Sequence, residues 1–143
     1  MLSKIIRHRK LFKYCLEALF DLIICKYLVL YVPFRKYSKK FGYVHCETFH
    51  ENMQAANDFI SAIQCALRLV PPLLPWYSQC LDQAMAAQRM LKRRGLQNTL
   101  YFGMKHEQDH SFGAHAWVRC GNRWVVGYHS QIDYIIVCTY ACL

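Results

Sequence analysis

The hydrophobic pattern of the chain changes its period once, and this change limits the folds open to it. In three segments before Gly95, apolar residues recur at spacings of three and four, which is typical of amphipathic helices. From Asn98 onward, short apolar runs follow one another, and Cys120-Gly121-Asn122 separates two of them as a hairpin turn would. Because helices come first and an antiparallel sheet follows, the sequence predicts an α+β fold.

The three predicted helices have recognisable ends. The first runs from about Lys4 to Leu30 and stops before Pro33. The second begins at Thr48, whose spacing to Glu51 is that of a capping box, and its apolar stripe ends at Pro71-Pro72. The third follows Ser78, a suitable N-cap, and ends in a basic turn before Gly95. Apolar residues form one stripe on the first helix: Leu11, Cys15, Ala18, Leu19, Ile23, Tyr27 and Leu30.

Four strands are predicted in the last third of the chain. They cover residues 98–104, 113–119, 123–127 and 134–138. The second and third form the hairpin around Gly121.

The whole chain of 143 residues has a net charge of +9, and most of this positive charge is in its first third. Residues 1–45 contain ten Lys/Arg against two acids, whereas residues 46–143 contain eight against seven. We therefore divide the chain into a basic helical segment, 1–45, and a nearly neutral domain, 46–143. The basic cluster is either a solvated face or a docking surface for an acidic partner or peptide. Nucleic acid is not expected as a partner, because no nucleic-acid-binding motif accompanies the charge.

The apolar stretch from Tyr14 to Phe34 raises the question of a membrane. Glu17, Asp21 and Lys26 interrupt it, and no uncharged run approaches the ~20 residues that a spanning helix needs. The sequence favours an amphipathic or buried helix, and peripheral contact with a membrane stays open.

The eight cysteines do not have the spacing of a metal site or a redox pair. There is no CxxC motif and no tight His/Cys cluster, so no metal and no cofactor is expected. Several cysteines lie on apolar faces, where a free thiol acts as a small hydrophobe. We expect reduced thiols and a cytoplasmic protein.

Two residues carry the chemistry that the sequence suggests. Cys80 lies in the first turn of the third helix, where unpaired N–H groups and the helix dipole stabilise a thiolate. His115 lies about 35 residues later in a short strand between two alanines. A cysteine nucleophile and its base are often far apart in sequence and adjacent in the fold, which suits this pair.

The contexts of both residues resemble those of lasso-peptide leader peptidases. The cysteine opens a helix that ends in Arg93-Arg94-Gly95, and the histidine lies in a strand with the sequence His-Ala-Trp-Val. These bacterial enzymes have a transglutaminase-like, papain-type core in which a cysteine-headed helix packs on a small antiparallel sheet. The resemblance implies a protease that cuts the leader from a lasso-peptide precursor. It also implies two partners, a small leader-recognition protein and an ATP-dependent lasso cyclase.

The sequence departs from this family at the third catalytic residue. The family places an Asp about twelve residues after the histidine, and here that position is Gly127. We assign the role to Asp133, the nearest acid downstream, although a backbone carbonyl or Gln131 could replace it. Substrate contacts are assigned to Trp117 and Gln79. Two alternatives remain open: an amidase or acyltransferase of the same fold, and a non-catalytic basic binding module.

Overall fold

The computed structural model describes residues 2–128 and 134–143, with side chains from residue 7 onward. Its α-helices are α1 (Leu2–Tyr31), α2 (Phe34–Tyr37), α3 (Asn57–Leu69) and α4 (Cys80–Arg93). Its strands are β1 (Tyr43–Val44), β2 (Asn98–His106), β3 (Phe112–Cys120), β4 (Arg123–Val126) and β5 (Ile135–Cys142). Short 3-10 helices cover Ser38–Lys40, Gln54–Ala56 and Pro71–Leu73.

The strands form one antiparallel sheet in the order β1-β5-β2-β3-β4. The predicted α+β class is therefore confirmed. The predicted hairpin is also present, with Cys120 opposite Arg123 across the Gly121-Asn122 turn. The last strand is longer than predicted and lies between β1 and β2, and β1 itself was not predicted from the sequence.

One face of the sheet packs against α4 and α3. Leu100, Ala116 and Val118 are buried on this face, and α4 contributes Ala84 and Ala87 to the same core. The small alanines on both elements let the helix backbone come close to the sheet. This packing fixes α4 relative to β3 and thereby fixes its N-terminal end.

The opposite face of the sheet is organised by the buried guanidinium of Arg119. It donates to the Tyr101 hydroxyl at 2.8 Å and to the carbonyl oxygens of Thr48 at 2.8 Å and Gly121 at 2.6 Å. These bonds hold the segment after β1 across the sheet. That segment is not helical up to Met53, so the start predicted for the second helix at Thr48 is wrong: α3 begins at Asn57. The Thr48 hydroxyl, predicted to cap the helix, hydrogen-bonds the Thr99 hydroxyl at 2.8 Å instead.

The first helix has its predicted length but turns a different side toward the protein. Glu17 and Asp21 face α4, where they pair with three arginines. Arg89 donates to Asp21 at 2.8 Å, and Arg94 donates to Glu17 at 2.6 Å. These ion pairs rotate the helix, so the later residues of the predicted stripe, Ile23, Tyr27 and Leu30, are exposed to solvent. From residue 7 onward, the fully buried positions on α1 are Ala18, Asp21, Leu22 and Cys25.

In the described residues, no helix is both long enough and apolar enough to cross a membrane. The basic segment is also in contact with the rest of the chain, because α1 packs on both α3 and α4. The division at residue 45 stays a prediction.

Candidate active site

Cys80 is the first residue of α4, as the sequence predicted, but the capping residue is its neighbour Gln79. The Gln79 side chain accepts from the backbone N–H of Asp82, and the Asp82 carboxylate accepts from the Gln79 N–H at 3.1 Å. This reciprocal capping box satisfies two of the helix's four free N–H groups. The N–H groups of Cys80 and Leu81 belong to the same first turn and are not used by the box. Ser78, predicted as the N-cap, lies one residue too early.

A lysine from α1 supports this helix end. Asp82 is completely buried, and its Oδ2 lies 3.5 Å from Lys26 Nζ. Lys26 also donates to the Tyr77 carbonyl at 3.3 Å. The first helix therefore fixes both the capping carboxylate and the chain that leads into Cys80.

His115 lies near the beginning of β3, beyond the last residue paired with β4. Its Nε2 donates to the backbone carbonyl of Gly127, and its ring lies 5.8 Å from that of Trp117 and 5.1 Å from that of Tyr134. A carbonyl can only accept, so in the neutral form of the ring the hydrogen is on Nε2 and Nδ1 is the basic nitrogen.

Gly127 occupies the position at which the leader peptidases have an aspartate, and the backbone here leaves no room for an aspartate side chain. Its φ of +82° is in the left-handed region that favours glycine. A Cβ there would overlap the Ala116 carbonyl oxygen and would lie 3.0 Å from the Trp117 Cα. The register shift between Val118 and Arg119 brings the end of β4 this close to β3. Glycine lets the carbonyl reach the imidazole.

Cys80 and His115 line the same cleft, which has a volume of about 930 Å³. One wall is the N-terminal end of α4 with Tyr77 to Gln79, and the other is formed by β3 and the end of β4. The polar side of α3 forms the third boundary. The cleft thus brings together a thiol at a helix N-terminus and an imidazole whose Nε2 is bonded to the Gly127 carbonyl.

The comparison with protein families decides the classification. The model of the transglutaminase-like superfamily matches residues 28–138. The chain belongs to this superfamily. Its members are typically cysteine-type enzymes, and both Cys80 and His115 lie inside the matched region. No curated protein and no solved structure matches the chain significantly.

The other residues singled out in this transglutaminase-like chain have different surroundings. Gln79 lines the cleft while it caps α4. Trp117 is 2% exposed, stacks on Tyr101 at 5.6 Å and is not part of the cleft wall. Both substrate-binding roles stay predictions. Asp133 and Gln131 lie outside the described residues.

The sequence analysis assigned no site residue to the helix that is now α3. Ser61, Gln64 and Arg68 line the cleft. Gln64 also donates to the Trp124 carbonyl at 2.6 Å and accepts from Arg123 at 2.6 Å, which joins α3 to β4. The spacing of these polar residues, three and four, was the available signal, because it marks a polar face beside the apolar stripe.

Cys65 of α3 lines the same cleft as Cys80, whereas other thiols are more buried or lie on the surface. Burial raises the pKa of Cys25 to about 12 and that of Cys120 to about 11. Cys46 is exposed on the surface. Among the described residues, no group of three His, Cys, Asp or Glu side chains is arranged to hold a metal ion.

Proposed function

We propose that this protein is a cysteine peptidase that removes the leader from a lasso-peptide precursor. The observation that carries the proposal is the shared cleft of Cys80 and His115, with the thiol at a helix N-terminus and the imidazole fixed by the Gly127 carbonyl. The superfamily match supports thiol chemistry, and the resemblance around Cys80 and His-Ala-Trp-Val supports the choice of substrate.

In the first half of the reaction, Nδ1 of His115 takes the thiol proton of Cys80. The thiolate then attacks the carbonyl carbon of the scissile peptide bond, and a C–S bond forms. The developing oxyanion accepts from first-turn N–H groups of α4, among them that of Cys80. The imidazolium returns its proton to the leaving amine as the C–N bond breaks.

In the second half, His115 activates a water molecule that attacks the thioester. The C–S bond breaks, the leader leaves with a carboxylate, and Cys80 recovers its proton. Throughout both halves the Gly127 carbonyl keeps Nε2 protonated and the ring in one orientation. It replaces the orienting carboxylate of the related enzymes. A carbonyl has no full charge, so it orients the imidazolium but stabilises it less than an aspartate would.

The lining of the cleft fits a peptide. The side chains of α3 and of the segment before α4 are mostly neutral hydrogen-bonding groups, with Arg68 as a cation. The described lining contains no Asp or Glu. Such a surface can bind the backbone amides of an extended segment and favours a neutral or acidic side chain near Arg68. We propose that the precursor enters here while the leader-recognition protein holds the leader and the cyclase receives the core.

The test uses the full chain with a candidate precursor and its recognition protein, and mass spectrometry identifies the products. Wild type should yield a leader with a free carboxylate. Cys80→Ala should give no product, and His115→Ala should lose on the order of a thousandfold in turnover. Cys46→Ala is the matched control and should react as wild type does.

Two outcomes would contradict the proposal. Full activity in Cys80→Ala would remove the cysteine mechanism. A leader joined to an added amine, with no hydrolysis when the amine is absent, would make the protein an acyltransferase of the same superfamily.

A further inference from the structure

The outer side of α1 is apolar along most of its length. Eight large apolar residues between Phe12 and Tyr31 are each 36% to 72% exposed. They are spaced three, four or one residues apart and therefore lie on one side of the helix. We call them the α1 apolar stripe: Phe12, Leu16, Leu19, Phe20, Ile23, Tyr27, Leu30 and Tyr31. Scattered surface hydrophobes are ordinary, but a continuous set of this size marks an interaction surface.

Between Phe12 and Tyr31, three of the four charged residues of α1 lie on the other side. Glu17, Asp21 and Lys26 all point inward to partners on α4. Within this fully described segment, Lys13 is the only exposed charged residue, and it lies at the end of the stripe. A helix that faces only water would have the opposite arrangement.

Exposed cations flank the stripe at both ends. Before and beside its start, the exposed basic residues are Arg7, Arg9, Lys10 and Lys13. Shortly after its end they are Arg35, Lys36, Lys39 and Lys40. No acidic residue from 7 to 40 is exposed, since Glu17 and Asp21 are paired with arginines.

We propose that α1 docks the protein on an anionic lipid bilayer. The stripe extends over roughly 30 Å of convex helix surface, at about 1.5 Å per residue. Apolar residues along such a length, with cations at both ends, match a planar surface that is apolar below and negatively charged throughout its headgroup layer. The helix lies in the plane of this interface, with the stripe at the acyl boundary and the basic clusters on the phosphates. This inference goes beyond the proposed peptidase activity and does not depend on it.

The first test measures co-sedimentation of the full chain with vesicles. Wild type should bind vesicles of phosphatidylcholine and phosphatidylglycerol in equal parts, and bind pure phosphatidylcholine much more weakly. The triple variant Leu16→Ser/Phe20→Ser/Ile23→Ser should bind the mixed vesicles roughly a hundredfold more weakly, because three large side chains no longer enter the apolar layer. The matched control replaces three exposed hydrophobes outside α1, Phe49, Leu73 and Leu143, by serine and should bind as wild type.

The second test separates charge from apolar burial. Neutralising two cations with Arg9→Gln/Lys13→Gln should weaken binding to the mixed vesicles by tens of fold, at roughly fivefold per charge, and reduce its salt dependence. Unchanged thermal unfolding and an unchanged alkylation rate of Cys80 show that each variant is folded. Cys80→Ala should bind vesicles as wild type, so a failure of the peptidase proposal leaves this measurement interpretable.

Three results would overturn the inference. The first is absence of wild-type binding to the mixed vesicles, and the second is unchanged binding by the stripe variant. The third is a protein complex that the stripe variant abolishes while vesicle binding persists. If that complex is a dimer of this chain, the α1 apolar stripe binds a second copy. If it contains the leader-recognition protein, the stripe binds that partner.

Discussion

Gly127 permits the most discriminating substitution, because the resemblance and the structure predict opposite results for it. If an aspartate is simply missing, Gly127→Asp restores a carboxylate and raises turnover. The structure predicts a loss. Any Cβ at this position overlaps the Ala116 carbonyl and lies 3.0 Å from the Trp117 Cα, so β3 and the end of β4 must separate by about an ångström.

The magnitude follows from two costs. A non-glycine residue at φ +82° costs about 1–2 kcal/mol, and forcing a side chain into a packed backbone contact costs about 1–3 kcal/mol more. Gly95 provides the control, since its φ is +66° and nothing lies within 4 Å of its Cβ position. We expect Gly95→Ala to lose only the first part of the free energy of unfolding, and Gly127→Ala to lose both.

The same displacement moves the carbonyl away from His115. Misplacement by about 1 Å can cost a catalytic group a hundredfold in rate, so turnover by Gly127→Ala and Gly127→Asp should fall by that order. Urea unfolding measures the loss of free energy of unfolding. The pH profile of Cys80 alkylation measures the displacement of the carbonyl from His115, because a purely structural change leaves the midpoint of that profile in place. A rise in turnover for Gly127→Asp, or equal destabilisation by Gly95→Ala and Gly127→Ala, would refute this account of the site.

Three further predictions follow from described contacts. Iodoacetamide should modify Cys80 much faster than Cys25, whose pKa is raised to about 12 by burial, and peptide mapping after partial labelling measures the two rates. Lys26→Met leaves the buried Asp82 carboxylate with only its backbone hydrogen bond, so we expect the free energy of unfolding, measured in urea, to fall by about 1–3 kcal/mol. An unchanged urea midpoint would show that Lys26 does not stabilise the start of α4. The hydrogen bond from Arg94 lowers the pKa of Glu17, so its stabilisation is present above the ordinary value of 4.5 and is lost as the pH falls through the lowered value. The difference in urea midpoint between wild type and Glu17→Gln should therefore shrink below about pH 4.5, and a constant difference would contradict the assignment.

The parts of the fold that local patterns determine were predictable. The strands from Asn98 onward and the start of α4 near Cys80 follow from spacing, turn residues and helix-end signals. The superfamily match confirms the predicted transglutaminase-like core.

The errors arose where a distant partner overrode a local signal. Thr48 has the capping pattern, but Arg119, 71 residues later, donates a hydrogen bond to its carbonyl, and the segment is not helical. The orientation of α1 depends on arginines of α4, and no periodicity within α1 reveals them. The role of the Gly127 carbonyl depends on a register shift in the hairpin, which side-chain identity does not encode.

The ion pairs between α1 and α4 have a consequence for how this chain can vary. Positions 17, 21 and 26 are tied to charges on α4, so a change on one helix requires a compensating change on the other. The outward positions, such as Phe20 and Ile23, have no such tie, and the protein's own packing leaves them free to become polar. In a set of related chains, the inward positions should covary with α4. A preference for apolar residues at the outward positions would then indicate that these positions contact another molecule.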